Sequence, residues 1–179
     1  MKIASKLATL VAVTALAVGA LAAPAHAGPG DTTATFTITA GALAITVPAS
    51  ATLGTVATGA GTTSGTLGAV TVADTRGALV NSWTTTVSST TFVLPGTPSA
   101  NETVAVNQIA YLSGAFTAHT GLGVFVPGVL ANGGVPGTAG SYTGAAGNSS
   151  TTWNPTLTLT LLSSQVAGTY TGTVTHSVA

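Results

Sequence analysis

Apolar and polar residues alternate with a period of two in several short runs of this chain, and after residue 27 nothing recurs at the three-to-four spacing of an amphipathic helix. Thr32 to Ala40, TTATFTITA, sets Ala34, Phe36, Ile38 and Ala40 against Thr33, Thr35, Thr37 and Thr39, which predicts a half-buried strand. Leu43, Ile45 and Val47 resume the alternation after Gly41, until Pro48, which has no N–H to donate, stops the ladder. A hairpin or short meander is expected there.

Ala51 to Gly68 reads as connections around at most one short strand. Val70 and Val72 then lead into Asp74-Thr75-Arg76-Gly77, a strand end and turn whose opposite charges lie two residues apart and so share a face of extended chain. A structural ion pair between Asp74 and Arg76 is expected. Beyond it, Asn81, Trp83, Thr85 and Val87 alternate with serine and threonine, so that Trp83 and Val87 anchor a strand with one buried face. Trp83 reads as core, with a surface platform for a sugar ring as the alternative.

Phe92-Val93-Leu94 runs into the turn cluster Pro95 to Pro98, and the phase of alternation between Thr103 and Leu112 slips near Asn107, as a bulge or turn would make it do. The stretch from about 121 to 150 is rich in Gly and Ala and reads as a long surface loop, either a disordered insertion or a functional excursion. Leu157, Leu159 and Leu161 share one face of a regular strand. After a turn near Gly168, Tyr170, Gly172, Val174, His176 and Val178 face one way in another. The class these elements predict is all-β, an antiparallel β-sandwich with an immunoglobulin-like layout.

The first 27 residues change what the composition means. Lys2 and Lys6 precede an uncharged run ending at Ala25-His26-Ala27, the form of a secretory signal peptide cleaved before Gly28. Export leaves residues 28–179 as one domain, with no membrane span after signal removal, and no cysteine for a lipid anchor or a disulfide. Arg76 then faces Asp31, Asp74 and Glu102, so one positive charge less three negative gives −2 with histidine neutral. A surface so poor in Lys and Arg excludes nucleic acid and anionic lipid as partners. Hydrophobic content of 45% nevertheless provides for a core.

Catalysis needs titratable groups that converge, and His119, His176, Asp31, Asp74, Glu102 and Arg76 fall at no motif spacing. The expectation is a non-enzyme without cofactor or metal, and His176 reads as a structural imidazole. Threonine rows such as Thr33 to Thr39 and Thr169 to Thr175 could be ice- or glycan-binding ladders, but solvated strand faces explain them and no fixed-period repeat is present.

Two segments carry a resemblance: Val72-Ala73-Asp74-Thr75-Arg76-Gly77 with Trp83-Thr84-Thr85-Thr86-Val87, and Ala167-Gly168-Thr169-Tyr170-Thr171-Gly172-Thr173-Val174-Thr175. Together they resemble the WxL-domain family of Gram-positive cell-surface proteins. The resemblance implies a secreted β-rich protein held non-covalently at the cell wall, with peptidoglycan as partner and binding attributed to two Trp-x-Leu motifs. Here the first reads Trp83-Thr84-Thr85 and the second position reads His176-Ser177-Val178. The wall or glycan contacts expected are therefore Trp83 and His176 at the motif positions, with Trp153, Tyr142 and Phe125 as exposed aromatics near the long loop. A structural subunit, a surface-layer or pilin-like sandwich that associates with other surface proteins, is the alternative.

Overall fold

The computed structural model describes residues 32–96 and 98–179; the signal peptide expected at 1–27 lies outside them. The chain divides into two units, Met1–Thr37 and Ile38–Ala179. The described part of the first unit, Thr32 to Thr37, has no regular secondary structure and is exposed throughout. The strand expected over Thr32 to Ala40 is therefore not formed. Alternation gives a segment a face but not a partner, and backbone pairing begins only where the Gly41 N–H donates to Thr75 O (2.8 Å).

The second unit holds β1 (Leu43–Thr46), β2 (Thr62–Thr66), β3 (Val70–Asp74), β4 (Asn81–Ser89), β5 (Phe92–Val93), β6 (Thr103–Val104) and β7 (Ile109–Leu112). It continues through β8 (Phe116–Thr120), β9 (Val124–Pro127), β10 (Val129–Leu130), β11 (Gly137–Ala145), β12 (Ser149–Trp153), β13 (Thr156–Thr160) and β14 (Val174–Val178). The fold is all-β, and every strand pair is antiparallel. A single 3-10 turn at Val106–Gln108 accounts for the slip of phase near Asn107. The hairpin expected between the first two alternating runs is replaced by a longer-range pairing of β1 with β3, Ile45 opposite Val72.

The sheets run in the orders β1-β3-β12-β8, β10-β7-β13-β2, β14-β4-β11-β9 and β5-β6. The first two are halves of one creased layer, because β2 leads into β3, β7 into β8 and β12 into β13, and the breaks fall side by side. Gly68 and Gly114 take positive φ at two of them, 89° and 70°, and Asn154-Pro155 makes the third. Across the crease Leu67 N–H donates to Pro155 O (2.8 Å) and Gly68 N–H to Asn154 Oδ1 (3.1 Å). The sheet containing β4 covers both halves: on one face of β4, Trp83 packs with Val70 and Val72, while Val87 packs with Tyr111, Leu157 and Leu159. This is sandwich packing. An immunoglobulin-like layout is not confirmed by the strand order.

The stretch at 121–150 is not a loop. β8 and β9 run alongside β12 and β11 as a two-stranded ribbon that turns from one layer to the other. It turns at glycines with positive φ, Gly121 and Gly123 on one strand and Gly144 and Gly147 on the other. Here glycine permits the corner and leaves room for rings: a Cβ on Gly140 would lie 2.7 Å from the Phe125 ring, and one on Gly123 would lie 2.5 Å from that of Tyr142.

Candidate functional site

The residues expected to touch a wall polymer meet, but inside the protein. Register places Tyr142 of β11 opposite Trp83 of β4 on one side and Phe125 of β9 on the other. The Trp83 and Tyr142 rings stack at 5.1 Å and 6°, and Phe125 stacks on Trp153 at 5.1 Å. Trp83 and Trp153, 6.3 Å apart, join the two pairs. Trp153 and Tyr142 have no exposed surface, and Phe125 and Trp83 are buried too. The expectation that Trp153, Tyr142 and Phe125 are exposed is thus corrected, since the ribbon they belong to is part of the core. Trp83 is core, as read from its strand.

The polar tips of these rings are satisfied by residues from distant strands. Trp153 Nε1–H donates to the Tyr111 hydroxyl (3.3 Å), and that hydroxyl is 3.0 Å from His176 Nε2. The Tyr111 hydroxyl therefore bridges the indole and the imidazole, accepting from the indole N–H. Burial pushes the His176 imidazole down from its ordinary value near 6.5 and the Tyr111 phenol up. His176 therefore joins the cluster through Tyr111, as a structural imidazole.

At the other end, the Tyr142 hydroxyl donates to Leu122 O (2.7 Å) and is 3.1 Å from His119 Nε2. That nitrogen also faces Gly121 O (3.0 Å), and Nδ1 faces Ser150 O at 3.1 Å and the Thr151 hydroxyl at 3.2 Å. Phe116, half exposed, lies against His119 with centroids 5.5 Å apart. A line of rings thus runs from the surface at Phe116 through His119, Tyr142, Trp83 and Trp153 to Tyr111 and His176. Tyr111 and His119 were not picked from the sequence as members of this line, because the ring partners they bond lie 23 to 65 residues away. A ring with a polar tip on an otherwise apolar face was the available signal.

Asp74 and Arg76 form the ion pair expected of them. Arg76 Nε and Nη2 donate to the two carboxylate oxygens at 2.9 and 2.8 Å, and its own backbone N–H adds a third bond at 3.1 Å. Nη2 also donates to Ser82 O (2.9 Å), tying the end of β3 to the start of β4. The guanidinium holds the buried Asp74 carboxyl below the usual carboxylate range. Among the described residues no group of three or more His, Cys, Asp or Glu could hold a metal ion, and no helix is long and apolar enough to cross a membrane. No protein-family model, curated protein or solved structure matches this chain.

Proposed function

We propose that this chain is a secreted, non-catalytic surface protein that associates non-covalently with the peptidoglycan of a Gram-positive cell wall. The observation that carries the reading is a strand surface of hydroxyls and amides with almost no free charge: the sole arginine of the sequence is committed to Asp74. Such a surface meets an uncharged glycan by hydrogen bonds and apolar contact rather than by ion pairing. The resemblance of the Asp74 to Trp83 segment and of the closing strands to the WxL-domain family supports the same reading. With Trp83, Trp153, Tyr142 and Phe125 in the core, the contact to a sugar face falls to Phe116, backed by His119 and flanked by Thr117 and Thr120.

Co-sedimentation of the purified protein with washed walls tests this. Retention should change less than about threefold between low and high salt, because few counterions are released. A steep salt dependence would overturn the mechanism. The second reading, a self-associating structural subunit, is favoured by one observation: the apolar stripe of Thr32 to Ala40 lies outside every sheet, with Phe36 and Ile38 in solvent.

A further inference from the structure

Beside edge strand β2, a groove of about 590 Å3 opens between residues 51–59 and 161–172. Its floor includes Phe92, Val104 and Leu159, all members of the core. Its rim carries Val56, Leu162 and Val166, which are partly exposed apolar side chains. No Asp, Glu, Lys, Arg or His lines it. It has the size and apolar character of a binding cleft.

The same chain carries a segment of matching chemistry. Thr32 to Ala40 is uncharged and nine residues long, about 30 Å when extended. Phe36 is 88% and Ile38 83% exposed, on one side of an alternation whose other side is threonine. A segment with that pattern lacks only a sheet edge to pair with. We infer that Thr32–Ala40 of one copy docks as an added strand in this groove of a second copy, setting Phe36 and Ile38 over Phe92, Val104 and Leu159. The inference deepens the structural-subunit reading and does not depend on wall binding.

Phe36 and Ile38 stand in solvent in this chain, so its own groove does not cover them, and the occupant is the segment of a second copy. Donor and acceptor surfaces differ, so the contact is head-to-tail and leads to rings or open chains.

The absence of cysteine makes a direct test clean. The secreted protein carrying Ile38→Cys is mixed with protein carrying Thr55→Cys, at the groove rim, under mild oxidation. Covalent dimers that form in the mixture, and far less in either variant alone, are the expected result. In parallel, Phe36→Asp with Ile38→Asp should weaken self-association by about 30-fold or more in light scattering, the loss expected when buried anchors are removed. At dilutions where both proteins are monomeric the melting temperature should stay unchanged, because the segment lies outside the core. Protein that is monomeric at every concentration overturns both this inference and the subunit reading. Self-association that survives the double variant without a mixed cross-link overturns the strand docking alone.

Discussion

Trp83 and Trp153 each do what a lone large ring in a charge-poor chain must do: bury area and find company for the polar edge. Trp83→Ala should cost about 3–5 kcal/mol of unfolding free energy in a denaturant titration, and a loss under about 0.5 kcal/mol would place the ring at the surface. Tyr111→Phe removes the hydroxyl that accepts from the Trp153 indole N–H and bonds His176, and should cost about 1–3 kcal/mol because the indole N–H stays fully buried without a partner. His176 and Asp74 give the pH dependence its sign. The folded state holds His176 neutral while the unfolded chain takes up a proton below about pH 6.5, so stability falls as pH drops from there toward the depressed folded value. Asp74 has a depressed pKa through Arg76, so its contribution is in place above about pH 4 and is lost as pH falls through the folded value. Melting temperatures should therefore be lower at pH 5 than at pH 7.5, and His176→Gln, which keeps a hydrogen-bonding group beside Tyr111 but cannot titrate, should flatten that part of the curve.

At the scale of elements, the strands that read clearly in the sequence are those whose inward face is made of large residues. β3, β4 and β13 fall where Val70 and Val72, Trp83 and Val87, and Leu157 and Leu159 place them. The ribbon of β8, β9, β11 and β12 was hidden because its inward face uses glycine and alanine opposite rings. Gly140 lies under Phe125, and Ala139 and Ala145 are buried. Gly123→Ala tests that account: its Cβ would meet the Tyr142 ring at a φ of 133°, so the variant should lose about 1–3 kcal/mol, whereas a flexible loop glycine would lose almost nothing. The reverse error, a strand expected at Thr32 to Ala40, has the same root, since a pattern of faces is necessary for a strand but a second backbone completes it.

For the whole molecule, the charge count and the missing cysteines limit what the surface can recognise. Phe116→Ala should lower wall retention several-fold while changing the melting temperature little, because the ring is half exposed; unchanged retention would remove Phe116 from the contact. The sequence by itself determined the all-β class, the core role of Trp83, the Asp74–Arg76 pair and the poverty of charge, because each follows from residue type and from spacings of two to a few residues. Only the tertiary structure decided that Trp153, Tyr142 and Phe125 are interior, that Tyr111 and His119 link them, and that Thr32 to Ala40 has no partner of its own. Those outcomes depend on which strands become neighbours, and with a period of two every alternating segment offers the same faces to any of them.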